Sequence, residues 1–191
     1  MQRSCSLFIS EYMEGDGLNK ALEIYNPFST TVSLDEYSLA LYINGSPTPS
    51  VSLGLTGNLS PGDTFVVRNP AGTLLTEADL DDGTVINFNG DDAVALLENE
   101  DIVDVIGQIG VDPGAEWISG GVSTRDQTLR RKSTVCGGDS DGTNAFDPSV
   151  EWDNFLQNTV DGFGAHTVMG CDCGDSCREG SSIFFGDGKA C

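Results

Sequence analysis

Apolar and β-branched residues in this chain come in short runs, and turn chemistry interrupts them about every ten residues. Runs of that length suit strands and leave little room for helices, which need a longer 3.6-residue period. Leu7 to Met13 reads as a strand, as do Lys20 to Asn26, closed by Pro27, and Tyr37 to Ile43. Asn44-Gly45 accepts positive φ at both positions, so it predicts a hairpin returning through Ser50 to Leu55. Leu59 to Asp63 carries Pro61-Gly62, the signature of a type II turn, and feeds a strand from Thr64 to Arg68. Val85 to Phe88, Ala93 to Glu98 and Asp101 to Gly107 read as an antiparallel meander. Leu97, Ile102 and Val105 are its core candidates, with Asp101 and Asp104 at wet or edge positions. Thr128 to Lys132 is a further strand, and Gly137 to Pro148 a long loop. Helical signal is confined to Thr76 to Leu80 and to Glu151 to Gln157, where Trp152, Phe155 and Leu156 have helix-like spacing; either could equally be a packed loop. Many short strands with Gly-rich turns predict an all-β sandwich or barrel.

The chain has 191 residues, enough for one domain with a core. Nine Lys and Arg face 30 Asp and Glu, a formal charge of −21. Such a surface repels phosphate backbones, so the chain alone is not expected to bind nucleic acid. No apolar run reaches the roughly 20 residues of a membrane span. The opening residues lack the apolar stretch of a secretory signal, so an exported chain would be the processed or excised part. The six cysteines are Cys5, Cys136, Cys171, Cys173, Cys177 and Cys191. Their spacing lacks the paired knuckles of a zinc site, and an even number points to disulfides in an oxidising, secreted or cell-surface setting. Spacing does not fix the connectivity; one scheme joins Cys5 to Cys136 and makes two bridges among the last four. From Met169 the composition turns to Gly, Cys, Asp and Ser, so residues 1–168 are read as the sandwich and 169–191 as a stapled extension.

Several stretches together resemble the lamin-tail-like domains of exported bacterial proteins. They are Leu7 to Tyr12, Asn19 to Asn26, the turn Leu59 to Asp63, Asn89-Gly90-Asp91-Asp92 with Ala93 to Leu96, and Asp101 to Gly107. Thr128 to Lys132 and Phe146-Asp147-Pro148 with Glu151-Trp152 resemble the closing segment. The resemblance spans about residues 6–168. It implies an immunoglobulin-like antiparallel β-sandwich and a non-catalytic module of a kind often appended to exported nucleases, phosphatases or surface proteins.

No catalytic constellation is visible in the sequence. The one histidine, His166, reads as a packing or capping residue, and Ser10, Ser60 and Ser149 lack a nucleophile-elbow context. Asp139, Asp141, Asp147 and Glu151 form a calcium candidate, because alternating carboxylates on a Gly-containing loop suit a hard cation; the competing reading is an Asx-turn loop. Glu11, Glu14, Asp16 and Asn19 are a second such group, against the reading of an acidic turn. On a strand Arg130 and Lys132 share one face and Arg131 takes the other, with pairing to carboxylates expected. Trp117 and Trp152 are read as core anchors or lids. Asn44-Gly45-Ser46 and Asn58-Leu59-Ser60 fit the glycosylation sequon but are turn sequences first. Ile183, Phe184 and Phe185, an apolar triplet in the tail, are an interaction candidate: they pack on the domain or add a strand to a neighbour. The functional expectations are a binding or assembly module with a protein partner or self-association, a self-assembling filament or surface-layer subunit, and an accessory domain cut from a secreted nuclease or phosphatase.

Overall fold

The computed structural model describes residues 5–171, 173 and 174. In chain order the strands are β1 (Phe8–Glu14), β2 (Lys20–Tyr25), β3 (Val32–Ser33), β4 (Tyr37–Tyr42), β5 (Val51–Gly54), β6 (Asn58–Leu59) and β7 (Thr64–Arg68). They continue with β8 (Leu80–Asp81), β9 (Ala93–Glu98), β10 (Asp101–Ile106), β11 (Ile118–Ser119), β12 (Val122–Ser123), β13 (Gln127–Arg131) and β14 (Trp152–Leu156), the last preceded by the single-turn helix α1 (Pro148–Glu151). A six-stranded sheet has the order β14-β13-β1-β2-β7-β8, and a four-stranded sheet the order β10-β9-β4-β5. All these pairings are antiparallel except β7 with β8.

The alternation in the sequence sets the two layers face to face. Leu22 and Ile24 of β2, Leu129 of β13, Leu39 and Leu41 of β4, and Val94 and Leu96 of β9 all belong to one buried cluster between the sheets. Each such side chain, fully buried, contributes about 1.5–3 kcal/mol relative to exposure. Tyr12 stacks on Phe88 inside this layer, ring centroids 4.7 Å apart, and its hydroxyl donates to the Thr124 carbonyl at 3.1 Å.

Both outer faces are also covered. On the four-stranded sheet Ala40, Tyr42, Ala93, Ala95, Leu97 and Val105 pack under Trp117, with Ile109 and Phe146 against them. Trp117 and Phe146 meet edge to face at 5.9 Å. On the six-stranded sheet residues 157–168 run as a strap. Thr128 Oγ1 donates to the Thr159 carbonyl at 2.9 Å, and His166 lies between Phe8 and Tyr25, 5.7 and 5.0 Å from their ring centroids. The segment 108–168, the least regular in sequence, thus supplies the covers of both layers together with β13 and β14.

Two expectations need correction. Val85 to Phe88 is not a strand, although Val85, Ile86 and Phe88 are fully buried. Side chains take the backbone groups a ladder would need: Asp82 accepts the Val85 N–H at 2.6 Å, and Asn69 donates to the Ile86 carbonyl at 2.8 Å. Glu151 to Gln157 is not a helix. Asp147 caps α1, and the chain then extends from Trp152 to pair with β13, where Trp152 stacks on the Arg131 guanidinium at 4.1 Å. Of the two readings of Thr76 to Leu80 the loop is the one that forms, and it runs into β8. Asn44 and Gly45 take positive φ, 49° and 71°, and the chain turns back there as expected: β4 pairs antiparallel with β5, which lies within Ser50 to Leu55.

The disulfides join Cys5 to Cys173 and Cys136 to Cys171, with Cα separations of 5.7 and 5.5 Å, in place of a Cys5–Cys136 bridge. They pin the end of the strap to the chain start and to the loop after β13. Cys177, Cys191, Ile183, Phe184 and Phe185 lie outside the described residues.

Candidate functional site

Two β-bulges, one in each sheet, place the buried charges. A bulge sets two residues of one strand against one of its partner and re-aims a side chain. In β10 the register against β9 shifts between Ile102 and Asp104. Ile102 and Val105 then pack on the outer cluster, while Val103 and Ile106 pack on the inner one. Asp104 points inward and is fully buried, not at the wet or edge position its sequence context suggests. Its Oδ2 accepts the Ile9 N–H at 2.7 Å and an ion-paired bond from Arg131, and its Oδ1 accepts the Asp139 N–H at 2.7 Å. Arg131, 3 % exposed, also donates to the Ile9 carbonyl at 3.1 Å and to Glu151 at 2.6 Å. One guanidinium thereby ties β1, β10, β13 and α1 together. A Cβ on Gly138 would collide with Asp104 and the Val103 carbonyl, so the covering loop approaches as only glycine can.

The second bulge lies in β1, where the register against β2 shifts between Ile9 and Glu11. Ile9 and Tyr12, three residues apart, both reach the inner core as a result. Ser10 and Glu11 both face outward under the strap. Glu11 stands opposite Glu23 in the register. Ser10 Oγ donates to Glu23 Oε1 at 2.6 Å, and the Gly164 N–H donates to Glu23 Oε2 at 2.6 Å. Arg130 donates to Glu11 Oε2 at 3.2 Å and also pairs with Asp161 of the strap. The guanidinium lies 4.1 Å over the Phe155 ring. Glu11 Oε1 is buried and, among the described residues, has no hydrogen-bond partner. A Cβ on Gly162 would run into the Arg130 guanidinium and the Glu11 carboxylate.

Burial pushes the Glu11 carboxyl up to about 7; Arg130 opposes the shift, and Glu23 and Asp161 add to it. Burial also raises Glu23, against the pull of bonds from Ser10 and the Gly164 N–H. Asp161 is held below the usual carboxylate range by its bond from Arg130. His166 is lowered to about 4, chiefly by burial and then by the Arg131 charge. It packs between two rings, and its Nε2 is buried with no partner among the described residues. That is the environment of a packing residue.

The calcium candidates are not drawn together as a ligand set. Asp139, Asp147 and Glu151 line one shallow cavity of about 160 Å³ with Asn144 and Phe146, and Asp141 is not among its lining residues. Among the described residues no three His, Cys, Asp or Glu side chains are placed to hold a metal ion. The carboxylates serve their own turns. Asp139 accepts the Asp141 N–H at 3.1 Å, Asp141 accepts the Thr143 N–H and hydroxyl at 3.1 and 2.7 Å, and Asp147 accepts the Ser149 N–H at 3.0 Å. Glu151 is paired with Arg131. Bonds from Thr143 and Ser149 hold Asp141 and Asp147 below the usual carboxylate range. Millimolar calcium is therefore expected to leave the melting temperature unchanged, whereas a concentration-dependent rise would show the loop rearranging around the ion.

The second acidic group is likewise divided. Glu11 faces the strap, Glu14 pairs with Lys20 at 2.6 Å, and Asp16 accepts from Asn19 at 2.7 Å. Trp117 and Trp152 are both buried, as expected of anchors. Two arrangements are what sequence reading missed: Asp104 with Arg131 between the sheets, and Glu11 with Glu23 and Arg130 under the strap. The signal that could have found them is the broken two-residue alternation at Ser10-Glu11 and Val103-Asp104.

Among the described residues no helix is long and apolar enough to cross a membrane. A family model described as Lamin Tail Domain matches residues 2–110. No curated protein matches the chain, and no solved structure matches it.

Proposed function

The chain belongs to the lamin tail domain family, and from that premise we propose that it is a non-catalytic binding or assembly module working outside the cell. The lamin tail domain is an immunoglobulin-like, non-catalytic fold. The observation that carries the reading is the covering of both broad faces by the chain's own loops, which leaves loops and sheet edges as the surfaces offered to a partner. The disulfides fit an oxidising compartment, and the surplus of carboxylates keeps such a module soluble and apart from nucleic acids. Residues up to 168 form the working unit in this reading, with 169–191 as its extension.

Self-assembly is the second reading, favoured by one region. Ile118, Val150 and Leu156 are 64, 66 and 84 % exposed, and they lie on β11, α1 and β14, the last being the edge of the six-stranded sheet. An apolar edge strand is a template for pairing with another copy. Light scattering of the full chain over a range of concentrations separates the readings. A monomer throughout supports the partner-binding module. A polymer that Leu156→Asp disperses supports assembly through this edge.

A further inference from the structure

Glu11 and Glu23 sit directly opposite each other on neighbouring strands, both buried, beneath a strap that touches both. Two carboxylates in that relation repel each other when both are ionised, and like charges directly opposite in a sheet destabilise it. The positive charge on this face comes from Arg130, which Asp161 of the strap also claims. We propose that the strap, residues 157–168, is a pH-gated cover that closes while this carboxylate pair holds a proton and opens at alkaline pH, baring the outer face of the six-stranded sheet.

The groups that face the pair come from every element around it. β1 supplies Glu11 and the Ser10 hydroxyl, β2 supplies Glu23, and β7 supplies the Thr64 hydroxyl. β13 supplies Arg130, with Asp153 of β14 as its cross-strand neighbour. The strap supplies Asp161, His166 and the N–H of Gly164. Asp63 and Asp79 line a neighbouring hollow together with Gly164. Carboxylates outnumber cations here, so no spare positive charge is at hand to absorb ionisation of Glu11. Among the described residues its Oε1 accepts no hydrogen bond that would stabilise added charge.

The sign follows from linkage. With its carboxyl at about 7 in the closed form against an ordinary 4.5, Glu11 contributes stability that is fully present below 4.5 and lost as pH rises through 7. His166 works the other way. Lowered to about 4 from 6.5, it contributes stability above 6.5 that is lost as pH falls through 4. The two effects oppose each other up to and somewhat beyond pH 6.5, so the Glu11 effect is read as the ratio of wild type to Glu11→Gln, in which the His166 effect cancels. Closure of the strap also buries Phe8 and Tyr25, so opening would present an aromatic surface.

Amide hydrogen exchange on the full chain tests the proposal, with rates corrected for the intrinsic pH dependence of exchange. Between pH 6 and 8.5 the opening constant of the strap amides, Gly164 above all, is expected to rise roughly tenfold in wild type relative to Glu11→Gln, while amides of β9 stay unchanged. Glu11→Gln keeps the uncharged shape of the side chain and retains the His166 effect, so it is the reference for that ratio. Glu23→Gln is expected to reduce it by removing the repulsion. An opening constant that changes with pH equally in wild type and Glu11→Gln would overturn the proposal.

Discussion

Arg131→Ala is expected to cost about 3–5 kcal/mol of folding stability, the cost of removing one partner from a buried ion pair. Domains of this size hold only about 5–15 kcal/mol in all, so the variant should be largely unfolded at temperatures the wild type tolerates. The size of the effect comes from what is left behind. Asp104 is fully buried, and without the guanidinium its charge keeps only the N–H groups of Ile9 and Asp139 as partners. The Ile9 carbonyl, Glu151 and the Trp152 ring lose the same partner. Asp104→Ala should also destabilise, since it strips two N–H acceptors. The double variant should cost less than the sum of the singles, with a coupling of about 1–3 kcal/mol, because neither then leaves a stranded charge. Urea melts of the four proteins measure this. An Arg131→Ala variant within about 1 kcal/mol of wild type would mean that the guanidinium is not the link between the sheets.

Replacing Cys5 and Cys173 together by Ser is expected to be the costlier of the two disulfide removals. The bridges span sequence separations of 168 and 35 residues. Cross-linking restricts the unfolded chain more when the closed loop is longer, by about 5 kcal/mol for the first and about 4 for the second on loop-entropy grounds. Both bridges also anchor the strap, so their loss should loosen the cover before the sandwich melts. Thermal melts of the Cys5/Cys173 and Cys136/Cys171 double-serine variants rank them. Equal melting temperatures, or a larger drop for Cys136/Cys171, would contradict this ordering.

How much of this was legible in the residues depended on whether a segment bonds to its own ladder or to something distant. Lys20 to Tyr25, Thr64 to Arg68 and Ala93 to Glu98 are short apolar runs closed by turn residues, and they fold as strands where those runs lie. Gly62 takes the positive φ that its turn predicts. Val85 to Phe88 has the same apolar character, yet Asp82 and Asn69 claim its backbone groups. Helix-like spacing at Trp152, Phe155 and Leu156 was overridden by the stacking of Trp152 on Arg131 and the free edge of β13. The buried charges were harder still. A bulge turns one residue's facing without changing composition, so Asp104 looked wet, and Glu11 looked like part of an acidic turn. Cysteine spacing could not rank Cys173 above Cys136 as the partner of Cys5, because the choice depends on where the strap ends.

The chain beyond residue 110 closes the sandwich, although the family match ends there. β13 lies beside β1 inside the six-stranded sheet, and Arg131, Trp152 and the covers of both outer faces come from the later segment. The direct test is thermal unfolding of residues 1–110, carrying Cys5→Ser, followed by near-ultraviolet circular dichroism beside the full chain. The prediction is a fragment without a cooperative transition and without the fixed aromatic signal, since Asp104 loses its counter-charge and β1 its neighbour. A fragment that melts cooperatively from a native-like spectrum would contradict the claim.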